Sequence, residues 1–293
     1  MKLAVNLPNF GPQIDHDGIE RWARTAEESG FDAVLLSDHL ALTDDANRRS
    51  PAPFYECLST LAWLAGRTTS VRLGAGVLIG SHRHPVHLAR ATATIDQLSG
   101  GRLVVGVGVG WAAEAFDVLG VPFGTRGART DAVLATLRQA WTADVITLRG
   151  DHAEHRVHTR PRPLQRPHPP LWIGGNGAPA LRRTNRFGTA WHPLHPSRER
   201  CRAGVAQLNE GKLFVPRVFF LPTPARVTAP GRPLGYGSLD QIADDLTFLT
   251  GLGADTVVLD TDPGNQALRR PLDDDLALIR LAGATFASSP SAL

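Results

Sequence analysis

Four stretches of this chain end an apolar run in residues able to do chemistry. Ser37-Asp38-His39-Leu40 sets a carboxylate beside an imidazole. The pair suits acid–base work or cofactor anchoring, because histidine titrates near neutrality; a capping aspartate beside a surface histidine is the plainer alternative. Gly74-Ala75-Gly76-Val77-Leu78-Ile79 carries glycines inside a β-branched run, a sign of a bulge or close backbone approach, or of tight strand packing alone. Gly106-Val107-Gly108-Val109-Gly110-Trp111 lacks the GxGxxG order of a dinucleotide motif, yet such a strand end can turn N–H groups toward an anion or a ring. Gly174-Gly175-Asn176-Gly177 precedes a helix, whose unpaired N–H groups suit a phosphate or a simple capping turn.

Other chemistries find little footing. Cys57 and Cys201 form no CxxC, and there is no GxSxG and no pair of carboxylates at catalytic spacing. His152, His155 and His158 repeat at three-residue spacing inside a stretch that reads as a hairpin, where His155 faces away from the other two. No metal is expected.

The elements that must position these residues alternate. Apolar β-branched runs at 3–7, 33–36, 73–79, 103–107, 171–175, 189–191, 213–221 and 256–260 read as strands. Amphipathic stretches follow them, with Ile19, Trp22, Ala23 and Ala26 on one face of the first. VITLRGDHAEHRVH, over 145–158, alternates around Arg-Gly-Asp and predicts an inserted β-hairpin. Eight strand–helix units in an α/β chain of this length predict a (β/α)8 TIM barrel, one domain over 1–293 with 285–293 as a frayed tail. The active site of such a barrel lies at the C-terminal ends of its strands, where the four stretches fall.

Composition narrows the partners. At 42% hydrophobic and 20% charged residues the chain has the balance of a soluble globular protein. Net charge is +3 with arginines scattered among acids, which argues against a nucleic-acid surface. No apolar run approaches a membrane span and the chain enters a strand with no basic-then-apolar leader, so a cytoplasmic protein is expected. Lys2 and Lys212 are the only lysines amid abundant arginine, a high-G+C signature.

Taken in order, GFDAVLLSDHL, RLGAGVLIGSHRHPVHLARATATIDQLSGGR, VGVGVGWAAEAFDVLGVPFGTRG and PRPLQRPHPPLWIGGNGAPALRR resemble the bacterial luciferase-like superfamily, and within it the deazaflavin (coenzyme F420)-dependent oxidoreductases. The resemblance runs from Leu3 to about Pro193 and thins beyond. It implies a luciferase-like barrel with the deazaflavin across the strand ends. Asp38 and His39 would flank the ring, with His39 as catalytic proton donor. Gly76 and Val77, with Ile79 after them, would form a strand-three bulge with a non-proline cis peptide behind the ring. Val109 and Gly110 would border the cofactor, and Gly175, Asn176 and Gly177 would bind its phosphate and tail.

Several FMN-using relatives place an arginine at the position of Val109, so valine favours F420 over FMN. An FMN-dependent monooxygenase fed reduced flavin is the alternative, and would need Arg83, Arg126 or Arg129 in that arginine's place. Trp111 stands where sugar-phosphate-oxidising relatives carry a catalytic glutamate. With Glu114 it would line a pocket for a small, apolar or conjugated substrate. Ala115 and Thr189-Ala190 also depart from the family pattern, which keeps a non-catalytic barrel open as a third reading. The family's usual homodimer is expected.

Overall fold

The computed structural model describes residues 1–150 and 152–287. Its strands are β1 (Lys2–Leu7), β2 (Ala33–Leu36), β3 (Arg72–Ile79), β4 (Leu103–Gly108), β5 (Val145–Arg149), β6 (Glu154–His158), β7 (Leu171–Gly174), β8 (Ala190–His192), β9 (Leu213–Phe214), β10 (Arg217–Phe219), β11 (Leu221–Pro222), β12 (Tyr236–Gly237) and β13 (Thr256–Asp260). Helices α1 (His16–Glu28), α2 (Asp44–Arg49), α3 (Cys57–Ala65), α4 (Pro85–Leu98), α5 (Ala113–Val118), α6 (Arg126–Thr142), α7 (Ala178–Phe187), α8 (Arg198–Val205), α9 (Leu239–Gly251) and α10 (Leu272–Phe286) alternate with them. None is long and apolar enough to cross a membrane among the described residues.

Nine strands form one curled parallel sheet, in the order β10-β13-β1-β2-β3-β4-β7-β8-β9. The expected run at 213–221 is broken into three pieces. Pro216 carries no N–H for the ladder, which separates β9 from β10. After Phe219 the chain turns to a new partner, Leu221 N donating to Gly235 O. The hairpin at 145–158 forms with Val145 opposite His158 and Arg149 opposite Glu154; the Asp151 of its expected Arg-Gly-Asp turn lies outside the described residues. It packs outside the sheet, where Arg90 of α4 donates to His158 O. Of the tail expected at 285–293, Thr285 and Phe286 belong to α10, and residues 288–293 lie outside the description.

Strand residues alternate between two cores, as period-two geometry requires. Outward side chains such as Leu3, Val5 and Leu7 join the helices in a large apolar cluster. Inward ones form a separate cluster inside the curl: Ala4, Ala33, Leu35, Val104, Trp172, Ala190, Val215 and Val258. Space there is tight, because a Cβ on Gly74 would stand 2.8 Å from Leu35 and from the Val104 carbonyl. Ala190, a departure from the family pattern, is one of these inward residues, and the neighbouring Thr189 hydroxyl accepts from Leu171 N at 2.9 Å.

Candidate active site at the strand ends

Two residues further along each parallel strand, on the same inward face, the side chains change character. Ala4 is followed by Asn6, Leu35 by Ser37, Gly74 by Gly76, Val104 by Gly106, Trp172 by Gly174, Ala190 by His192, Val215 by Arg217 and Val258 by Asp260. An apolar layer is thus capped by a layer of polar residues and glycines, and that layer is the floor of the candidate site.

The glycines have a specific cause. Strand β3 slips register against β4 between Ala75 and Leu78, and the Gly76–Val77 peptide is cis, as the resemblance implied. Val77 sits in the room those glycines leave. A Cβ on Gly108 would lie 2.5 Å from Val77 Cγ2, one on Gly174 2.9 Å from its Cγ1, and one on Gly106 would strike both Val77 and the Ala75 carbonyl. Gly106 and Gly108 therefore accommodate a valine. Gly110, at φ +77°, passes over Ile79 and Phe116, where a Cβ would come within 3.0 Å of both.

Asp38 is not at the surface of the site. Its side chain is 1% exposed, with Oδ2 accepting from Ile79 N at 2.9 Å and from Arg83 Nη1 at 2.6 Å, and Oδ1 from Arg83 Nη2 at 2.8 Å. It holds the far end of the bulge. Ile79 is likewise buried, beneath Gly110. Arg83 also reaches Glu56 at 2.7 Å, so its charge is already matched by two carboxylates before any phosphate is considered. Arg126 lies over the Phe123 ring and Arg129 bonds the Thr125 hydroxyl, both around the start of α6.

His39 is brought to the rim. Its ring meets Phe54 edge-on at 5.4 Å and Trp111 at 5.9 Å, and its Nδ1 is buried without a partner among the described residues. Burial lowers its pKa from the ordinary histidine value, against the pull of the Asp38 and Asp45 carboxylates. The wall continues in both directions. Phe10 stacks on Phe54 and carries the Arg269 guanidinium, while Arg49 lies 4.4 Å over Trp111. Arg269 Nη2 donates to Arg49 O at 2.7 Å, closing a rim of two arginines and four rings. Of these residues only His39 and Trp111 stood out in the sequence; Phe10, Phe54 and Arg269 come from loops and Arg49 from the short α2, which periodicity does not resolve. Ala115 packs with Ala46 and Ala112 under this wall. Glu114 is exposed on α5, joined to none of these residues by a hydrogen bond or ion pair among the described residues.

On the far side, Gly175 (φ +127°), Asn176 and Gly177 lead into α7. The Asn176 side chain is occupied, exchanging two hydrogen bonds with the Leu194 backbone at 2.7 and 2.9 Å. Its role is to pin the loop. The N–H groups of Asn176, Gly177 and Ala178 have no partner among the described residues, and Arg200 stands beside them, donating to Asn176 O at 3.0 Å. Val109 is half-buried at the end of β4 and brings no charge.

The centre of the floor is an ion network absent from the sequence reading. Arg217 donates through Nε to Asp260 Oδ2 at 2.8 Å, with Nη2 in ion-pair contact 2.7 Å from the same oxygen, and through Nη1 to Gly76 O at 3.0 Å. His195, the one described non-glycine residue with positive φ (43°), places Nε2 3.2 Å from the same carboxylate oxygen. Burial would raise the Asp260 pKa, but Arg217 and His195 hold it at about 2. Arginine and aspartate at inward positions two past an apolar residue were the available signal.

His192 donates through Nδ1 to Val215 O at 2.7 Å, and burial lowers its pKa to about 4 from an ordinary 6.5. The folded state therefore disfavours the charged ring. This stabilisation is complete above the unfolded value and is lost as pH falls through 6.5 toward 4. The loss is expected to be on the order of 3 kcal/mol. Urea unfolding of wild type and His192→Asn at pH 7 and 4.5 checks it: the variant should lose less stability on acidification, and equal losses would refute the assignment.

With this geometry in place, comparisons add a lineage. Residues 1–212 match the model of the luciferase-like monooxygenase family. The F420-dependent glucose-6-phosphate dehydrogenase of Amycolatopsis mediterranei (strain U-32) is 33% identical over 195 residues, 63% of this chain and 54% of the relative. The FMNH2-dependent dimethylsulfone monooxygenase of Pseudomonas putida is 31% identical over 170 residues, 57% of this chain and 45% of the relative. The aligned stretch thus spans about half the length of these curated relatives. Among solved structures, the monooxygenase RslO1 of Streptomyces bottropensis superposes with a TM-score of 0.78 at 19% identity, covering 98% of both chains.

Proposed function

The chain belongs to the luciferase-like monooxygenase family, and from that premise we propose that it is an F420-dependent oxidoreductase acting on a small conjugated or apolar substrate. For the fold, we read residues 213–219 as one strand interrupted at Pro216. Leu213 N and Val215 N donate to Thr189 O and Trp191 O on one side, while Asp255 N and Val258 N donate to Phe214 O and Pro216 O on the other. Such a strand closes the curled sheet into the (β/α)8 ring.

The residues present fit a deazaflavin. The unpartnered Nδ1 of His39 and the Gly76–Val77 bulge would border its ring; the N–H groups of Asn176, Gly177 and Ala178, with Arg200 nearby, would hold its phosphate. When bound, this cofactor supplies hydride transfer. Val109 carries the preference for F420: it offers no charge-assisted partner to a phosphate monoester, and Arg83 is already bound to two carboxylates. The relatives include users of both F420 and FMNH2.

The chain's own groups handle binding and the proton. The rim of Phe10, Phe54, Trp111, Arg49 and Arg269 would enclose a flat substrate and exclude water. His39, neutral near pH 7 because burial disfavours its charge, would accept the hydroxyl proton when an alcohol is oxidised and return it in the reverse reaction. Fluorescence titration of the apo-protein with F420, FMN and FAD tests the reading. F420 should bind about tenfold or more tightly than FMN. Exclusive binding of FMN, with oxygen uptake on addition of reduced FMN, would replace it with the monooxygenase reading.

A further inference from the structure

We infer that Arg217 is a positioning residue of the cofactor site, fixing the Gly76 carbonyl and with it the backbone surface on which the ring rests. The inference stands on the cofactor reading above. Arg217 and Asp260 lie beyond the 212 residues that the family model matches, so they carry no role by descent from that match.

Gly76 needs an outside partner. The β2–β3 register ends at Leu36 opposite Ala75, and the β3–β4 register jumps from Ala75 to Leu78. Gly76 and Val77, both half-buried, therefore fall outside both ladders, and the Gly76 carbonyl takes its partner from something other than a neighbouring strand. Arg217 Nη1 does this at 3.0 Å, from 141 residues away in the chain. Arg217 is 9% exposed and Asp260 2%, so the ion pair that aims the guanidinium is shielded from water.

The guanidinium is well suited to this task. It is planar, and its Nε and Nη2 are committed to Asp260, which fixes where Nη1 points. Asp260 is itself held from several directions: by Asn6 Nδ2 at 3.4 Å, by Asp262 N at 3.2 Å and by His195 Nε2 at 3.2 Å. One buried carboxylate from β13 thus sets an arginine from β10, and the arginine sets the bulge of β3. A lysine could reach the carboxylate or the carbonyl, but its point charge cannot hold both in one plane.

A purely structural ion pair offers the contrast. Asp245, 1% exposed, binds Arg232 at 2.8 Å and Arg198 at 2.6 Å, joining α9 to the preceding loop and to α8 away from the inward layer. Its loss should cost stability without altering the bulge.

The test compares wild type, Arg217→Met, Arg217→Lys and Arg232→Met. Melting temperature is measured for each, with the Kd and the absorbance band of bound F420 and FMN. Arg217→Met should weaken binding by about tenfold or more and return the bound cofactor's band toward its free position. Arg217→Lys should fall between. Arg232→Met should lower the melting temperature and leave affinity and band unchanged. The inference is overturned if a folded Arg217→Met binds with wild-type Kd and band, or if both methionine variants weaken binding equally. Should Arg217→Met not fold, wild-type Kd and band in Arg217→Lys overturn it. A wild type that binds neither cofactor sinks the cofactor reading and this inference with it, whereas wild-type binding with unaffected variants sinks the positioning role alone.

Discussion

Arg83→Met should lower the free energy of unfolding by about 3–5 kcal/mol, the range seen when one partner of a buried ion pair is removed. Arg83 and Asp38 are 5% and 1% exposed, and two hydrogen bonds join them in a bidentate pair. Methionine would fill much of the same volume but strand the Asp38 carboxylate with only the Ile79 N–H, and would leave Glu56 facing the gap. The double variant Asp38→Asn/Arg83→Met should lose less than the sum of the single losses, because it removes the stranded charge. Ile79 closes the bulge, so cofactor affinity should fall along with stability. Urea denaturation of the three variants decides the matter: a loss below about 1 kcal/mol for Arg83→Met would mean the pair is solvated and holds nothing.

His39→Gln should reduce turnover by about 100-fold, within the usual range for a lost acid–base group, while cofactor Kd changes by less than about threefold. Glutamine keeps a polar side chain of similar reach between Phe54 and Trp111 but cannot take up a proton. Steady-state kinetics on a ketone, enone or secondary alcohol that the wild type turns over provides the measurement, with F420 as partner. Because burial lowers the His39 pKa, the wild-type rate for alcohol oxidation should hold at neutral pH and decline only on acidification below the ordinary histidine range. Turnover of His39→Gln close to wild type would remove His39 from the chemistry. A large rise in Kd with unchanged turnover would make it an anchor.

The parts of this molecule legible in sequence were those governed by local period. Strands β2 and β13 fall at the expected residues and the hairpin at 145–158 forms, because alternation and turn chemistry act within a few residues. The short helices α2 and α5 passed unseen, since six residues barely complete a period. The site was half legible. His39, Trp111, Gly76, Val77 and the turn at 175–177 stand where strand ends place them. What escaped was the partnership between distant residues: nothing in the sequence pairs Asp38 with Arg83, which bonds both its oxygens. Arg217 and Asp260 are ordinary charged residues in sequence, and they become a site only when the curl of the sheet turns both inward.

The fit of Val77 among Gly106, Gly108 and Gly174 bears on how this chain can vary. These four positions, from three strands, share a single volume. A methyl group gained at Gly108 or Gly174 has to be surrendered at Val77, so these positions are free to drift only in concert, while Gly106 is also held by the Ala75 carbonyl. A mutational library that samples them singly would score each glycine as indispensable. One that pairs a small residue at 77 with alanine at 108 or 174 should recover folded variants, and the glycine-rich stretch would then show itself as the imprint of one side chain.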